Sequence, residues 1–356
     1  MKLFTVGPVQ PYPEIALTYQ QDIPYFRTTR YGDLVQSNLS RLASILNLDA
    51  NGRIIYYAAS GSGAMEATVD NCLSRQDKAI VIDGGTFGHR FCELLQHYAI
   101  PHTPIHIAWD EALTASHLSP FEGQGYTALL VNLHETSTGQ LYDIAMLSDF
   151  CRRNNMLLIV DAISTFMADA YDMAKYGIDV TIFSSQKALC LSPGVSFIAL
   201  SERMLQRLNP TPRSSYFDFG SYLRNLTRGQ TPFTPAVNIM YELDAMLTKI
   251  EREGGMQAWL NHIAEKCHYF RQRIAEAGFT INPHYALSHM MTPIFTGRAH
   301  AYEVFQYLAE KHDIYVNPCG GDLAGKMLRI AHVGNTTKQD IDTLIRCLTE
   351  AVQTLA

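Results

Sequence analysis

The chain has 356 residues, 47% of them apolar and 17% charged, with a formal net charge of −6 at pH 7. That length implies roughly two domains, and the apolar share is enough for a sizeable core and too much for a disordered or fibrous chain. A mildly acidic chain without a basic block also argues against nucleic acid as the main partner.

The first residues reach Gly7-Pro8 before an apolar export segment forms, and no apolar run approaches the roughly 20 residues of a membrane span. The seven cysteines, Cys72, Cys92, Cys151, Cys190, Cys267, Cys319 and Cys347, never form a CxxC pair. They are expected to be reduced thiols in a cytoplasmic protein, not a disulfide frame or a zinc site.

In chain order, the first expected strand is 54–58, followed by Ser60-Gly61-Ser62-Gly63 and a helical stretch over 65–73. Small residues entering a helix suit phosphate, because free N–H groups and the positive dipole end face the ligand. A flexible turn is the plainer alternative, and no Lys follows as in a Walker loop. The next strand, Ala79–Asp83, runs into Gly84-Gly85-Thr86-Phe87-Gly88-His89-Arg90. Phe87 is either a plate for a planar ring or simply core. Strand 128–133 ends in His134-Glu135-Thr136-Ser137-Thr138-Gly139, a polar ligand edge or a capping turn. Strand Leu157–Asp161 ends in a carboxylate that burial would penalise unless it finds a cation or caps the next segment. Strand 179–183 leads to Ser184-Ser185-Gln186-Lys187-Ala188-Leu189. A lysine amid small and apolar residues is a candidate for the lowered pKa of an imine-forming amine, although most lysines are solvated. Strand 195–200 completes the set.

These runs are apolar throughout rather than alternating, so they read as strands buried on both faces of a mostly parallel α/β sheet. Ligands of such sheets gather at the carboxyl ends of the strands. Further on, helices are expected at 237–253, 259–277, 299–311 and 338–354, with a short strand at 327–331. The expected division is an N-terminal segment 1–15 at the active site, a large domain 16–253, and a small α+β domain 254–356.

Together, the strand ends hold a phosphate cradle, an aromatic plate, a buried acid and an imine-forming lysine, the parts that pyridoxal 5'-phosphate (PLP) requires. At these motifs the chain resembles the class V aminotransferases of PLP fold type I. The resemblance is to the group of alanine–glyoxylate, serine–pyruvate and 2-aminoethylphosphonate–pyruvate enzymes. It extends from Gly7-Pro8 through Glu66, Pro193-Gly194, Thr234-Pro235 and Glu253-Gly254 to Arg329-Ile330-Ala331-His332-Val333-Gly334.

The resemblance implies that Lys187 holds the cofactor through an imine and later moves the proton. Asp161 would face the pyridine nitrogen and Phe87 would stack on the ring. Ser62, Gly63, Ala64 and Gln186 would surround the phosphate, with Thr136 and Ile163 beside the ring. Thr231 and Thr234 would reach the cofactor of a second subunit, implying a homodimer with shared active sites. Gly7 and Arg329 would meet the substrate, Arg329 pairing with its carboxylate. The chain departs from the family pattern at Phe87, where Trp or Tyr is common, and at Ala64, where a His can stand. It departs also at Thr231, where an aromatic is common, and at Ala331, where Gly is usual. These departures bear on substrate identity. Two other readings are a cysteine desulfurase using Cys319 and a non-catalytic protein keeping the fold.

Overall fold

A computed structural model of the chain describes residues 1–18, 20, 22–281 and 284–356. Its centre is a seven-stranded sheet: β1 (Arg53–Tyr57), β2 (Ala79–Asp83), β3 (His102–His106), β4 (Ala128–Asn132), β5 (Leu157–Asp161), β6 (Val180–Ser184) and β7 (Ser196–Leu200). The spatial order is β1-β7-β6-β5-β4-β2-β3. Every pairing is parallel except those of β7, which is antiparallel to both neighbours. Strands β2, β4, β5, β6 and β7 are buried along their whole length, which is why their sequences do not alternate. Each buried Leu, Ile or Val there contributes about 1.5–3 kcal/mol relative to exposure.

The helices flanking the sheet are α1 (Thr29–Leu46), α2 (Gly61–Cys72) and α3 (Thr86–His97). Neither α1 nor β3 is among the expected elements. β3 carries Pro104 between two histidines, a pattern unlike a central strand, and it lies on the sheet edge where proline is tolerated. α2 begins four residues before the expected start, because Ser60 caps it by accepting from the Gly63 N–H at 3.4 Å.

After the sheet, α4 (Val237–Arg252) and α5 (Gly255–Glu276) meet at Gly254. A smaller antiparallel sheet follows: β8 (Thr280–Ile281), β9 (Met291–Phe295), β10 (Asn317–Pro318) and β11 (Met327–Ala331), in the order β8-β9-β11-β10. With α5, α6 (Ala301–His312) and α7 (Lys338–Leu355), it encloses a core around Phe270, Ile294, Leu328 and Leu344. Phe4 belongs to this core too. The strand Lys2–Leu3 pairs with Ile314–Tyr315, and the Ala331 N–H donates to the Phe4 carbonyl at 2.8 Å. The first residues are thus tied to the late part of the chain, and the next few run back to the edge of the large sheet. Among the described residues, no helix is long and apolar enough to cross a membrane.

Candidate active site

Parallel pairing brings the carboxyl ends of β2, β4, β5 and β6 to one edge; Asn132 stands opposite Asp161, and Asp161 opposite Ile182. β1 runs parallel to β6 through the intervening β7, so α2 starts at this edge as well. A cavity of about 190 Å³ opens there, lined by residues that include Ser62, Phe87, Thr136, Asp161, Ile163, Gln186 and Lys187.

Lys187 sits in the turn after β6, which is closed by bonds from Leu191 N to Ser185 O and from Cys190 N to Lys187 O. Its Nζ donates to the Val6 carbonyl at 2.8 Å. Burial, aided by the charge of Arg329 and opposed by Asp161, pushes its pKa down to about 8. That raises the neutral share of the amine at pH 7 by roughly 300-fold over an ordinary lysine. Gly7 lies against this side chain with φ +138°; a Cβ there would stand 2.7 Å from Lys187 Cδ. Only glycine combines that dihedral with that approach.

Asp161 is buried at the end of β5. One oxygen accepts from the Ile163 N–H at 2.8 Å, and the other has no partner among the described residues. It therefore takes the capping role the sequence left open, while its second oxygen has found no cation among the described residues. Burial raises its pKa to about 7, with Glu135 adding to the rise and the Ile163 N–H, Lys187 and Arg90 opposing it. A buried carboxylate so placed calls for a cation to complete it.

The other expected residues divide by position. Thr136 Oγ1 is buried and has no partner among the described residues, while its carbonyl accepts from Arg329 Nη1 at 3.2 Å. Arg329 Nη2 donates to the Pro318 carbonyl at 2.9 Å, and its buried Nε has no partner among the described residues. Ser62 and Gln186 line the cavity. Gly63 and Ala64 do not; the Ala64 methyl is fully buried in the core and its N–H bonds to the Ser60 carbonyl at 3.2 Å. Thr231 and Thr234 also lie outside the cavity of their own chain. Thr231 Oγ1 donates to the Phe233 carbonyl at 2.7 Å, and Thr234 is exposed.

Two positions carry more than sequence reasoning assigned them. Glu135 is buried and accepts from the N–H groups of Phe87 (3.3 Å) and Gly88 (3.1 Å), and from Ser137 N and Oγ. It caps α3, the helix that carries Phe87, in place of Gly85, which has no side chain to cap with. A Cβ at Gly85 would run into Ser137 Oγ and the Glu135 carboxyl. The signal was an uncapped glycine start beside a motif rich in polar groups, but nothing in the sequence joined the two. Arg90 Nη1 donates to Ser62 Oγ at 2.6 Å and the guanidinium lies 5.6 Å from the Phe87 ring centroid, tying the phosphate-type turn to the aromatic. Cys319 is buried with Leu323 and Met327 and lies outside the cavity; burial pushes its thiol up to about 11, with Arg329 opposing. A protonated, enclosed thiol is a poor nucleophile.

These residues fit PLP. The unpaired Asp161 oxygen could accept a pyridinium N–H, the unpartnered Thr136 hydroxyl could bond a ring substituent, and the start of α2 has N–H groups of the kind that suit a phosphate.

The aminotransferase class-V family model matches residues 27–344. A protein named soluble hydrogenase, small subunit, from Synechococcus sp. is 29% identical over 362 residues, covering 98% of this chain and 92% of its own. An alanine–glyoxylate aminotransferase from Felis catus is 28% identical over 312 residues, covering 83% and 75%. Among solved structures, an alanine–glyoxylate aminotransferase from Nostoc sp. superposes with a TM-score of 0.92 at 24% identity, covering 98% of this chain and 94% of that one. A strand-end lysine and acid on this fold, in a chain that the family model spans almost end to end, make the protein a member of the class V aminotransferases, enzymes dependent on pyridoxal 5'-phosphate.

Proposed function

We propose that the protein moves an amino group from a small amino acid or aminophosphonate to pyruvate or glyoxylate by a ping-pong cycle, with alanine, serine and 2-aminoethylphosphonate as candidate donors. The observation that carries this reading is a lysine of lowered pKa and a half-paired buried carboxylate lining one cavity.

PLP, when bound, supplies a carbonyl carbon that condenses with amines and a ring that accepts the electron pair left by a broken α-C–H bond. The residues do the rest. Lys187 would hold the cofactor through Nζ, and as a free amine the same Nζ would serve as base towards the donor's α-proton and then as the acid that returns it. Asp161, held by the Ile163 N–H, presents its free oxygen to the ring nitrogen and keeps that nitrogen protonated. Phe87 stacks on the ring, with Thr136 and Ile163 beside it. Ser62 and Gln186, which line the cavity, would form the phosphate end, with Gly63 and Ala64 shaping the turn behind them while their N–H groups bond to Ser60. Val6 and Gly7 cover Lys187 and limit its contact with water. Arg329, oriented by the carbonyls of Thr136 and Pro318, uses its remaining donors on the substrate carboxylate or phosphonate. Thr231 and Thr234 serve the cofactor of the neighbouring subunit in a homodimer. Seven free, buried cysteines suit a reducing compartment such as the cytoplasm.

The test is borohydride reduction of the holoenzyme followed by peptide mapping, which should tag Lys187. A panel of amines should then bleach the cofactor's visible absorbance, giving parallel double-reciprocal lines with the acceptor. Arg329→Lys should raise KM for carboxylate donors at least tenfold. A tag elsewhere, or no bleaching by an amino acid, would remove the reading.

A further inference from the structure

Asp161 is not the only half-used polar side chain at this sheet edge. Asn132 ends β4 as Asp161 ends β5, and the parallel register sets the two residues side by side. Residues paired across parallel strands point to the same face of the sheet, and both side chains line the cavity of about 190 Å³. Both residues are almost fully buried, at 4% and 2% exposure. Asn132 Oδ1 and Asp161 Oδ2 are buried oxygens, and neither has a hydrogen-bond partner among the described residues. Nothing in the sequence marks Asn132, which lies inside the apolar run 128–133 and belongs to no motif.

Two unmet acceptors side by side are costly, because each has lost water and gained nothing. One proton removes the difficulty for both. A neutral carboxylic acid carries an O–H donor that a carboxylate lacks, and the amide carbonyl of asparagine is an acceptor. The surroundings favour the neutral acid. Burial raises the Asp161 pKa to about 7; Glu135 adds to the rise, while the Ile163 N–H, Lys187 and Arg90 oppose it. The nearby Tyr171 phenol is already paired with Thr181 Oγ1 at 2.8 Å. The other unmet oxygen of the cavity lining, Thr136 Oγ1, lies four residues beyond Asn132, past the end of β4.

We propose that Asn132 is a positioning residue for Asp161: in the cofactor-free site its carbonyl accepts the proton of the neutral acid and holds that acid in place. The inference rests on the reading of Asp161 as the partner of the ring nitrogen. On cofactor binding the proton passes from Asp161 Oδ2 to that nitrogen, the O–H bond breaking as the N–H bond forms. The acid thus enters the encounter already carrying the proton its partner needs.

The experiment is infrared difference spectroscopy of the cofactor-free protein at about pH 5, below the titration of Asp161, and again after reconstitution with PLP. A carboxylic acid band that disappears in Asp161→Asn is expected. Asn132→Leu, close to isosteric, should move that band to higher frequency, because the acid loses its acceptor. Asn132→Ser should move it the same way, since the shorter hydroxyl falls back towards its own strand. The serine is also smaller than asparagine, so it carries the test should the leucine variant fail to fold. Saturation of wild type with PLP should abolish the band. A band at one frequency in wild type and the folded Asn132 variants would overturn the pairing alone. So would the absence of any Asp161 acid band in the cofactor-free wild type. A band that survives saturation with PLP would overturn the proton delivery, and with it the reading of Asp161 on which this rests.

Discussion

Asp161 sets stability against chemistry within a single residue. Its pKa is raised to about 7, mainly by burial, while in the unfolded chain it sits at roughly 4. Ionisation is thus easier in the unfolded state. The cofactor-free protein keeps the full contribution of this residue below about pH 4, and loses it as pH rises towards 7, by up to about 4 kcal/mol. Asp161→Asn should therefore be more stable than wild type at pH 8 without cofactor, and no more stable at pH 4. Paired denaturation curves at the two pH values measure this. With cofactor the order reverses: wild type binds tighter, and the variant should lose roughly a hundredfold or more in kcat. Equal stability at pH 8 would mean that the carboxylate is not held unpaired. The sequence alone showed an acid at the end of a buried strand. That one of its oxygens caps a turn and the other stays free follows from the Ile163 backbone, which no motif displays.

At the scale of elements, α3 depends on a cap from another segment. Glu135 accepts four hydrogen bonds, two of them from the first turn of α3, and the helix dipole favours its charge there. Glu135→Ala should destabilise the protein by about 1–3 kcal/mol, the range for stranding buried donors. Because Phe87 rides on the uncapped turn, cofactor affinity should fall about tenfold as well. Glu135→Gln should recover part of both, since it keeps one acceptor. Cofactor titration and urea unfolding of the two variants decide this; unchanged affinity in Glu135→Ala would detach Phe87 from the cap. The central strands were legible as long apolar runs, and most helices by their period. β3 was not, because an edge strand is exposed on one side and tolerates Pro104 and its histidines. The starts of α2 and α5 also lay outside the apolar period, since caps and αL glycines set them.

For the whole molecule, the proposed homodimer places residues 231–234 against a neighbour's cofactor. In its own chain Thr231 is buried, but the segment then turns outward, with Phe233 39% exposed and stacked on Tyr216 at 4.9 Å, and Thr234 exposed. Sedimentation should give a dimer, and dilution into monomers should release cofactor in step with dissociation. Thr234→Ala should weaken cofactor binding several-fold while leaving the dimer intact. A monomer that keeps full cofactor affinity would end the shared-site reading.

The order of residues by itself determined the buried parallel sheet and the chemistry waiting at its strand ends, because apolar runs and motif residues are local properties of the chain. Tertiary structure alone decided that Val6 and Gly7 close on Lys187 from the far end of the sequence, and that Glu135 caps a helix it does not begin. It also decided that Asp161 keeps one oxygen free. Those facts depend on which groups are withdrawn from water and what they meet there, and burial is a property of the packed molecule.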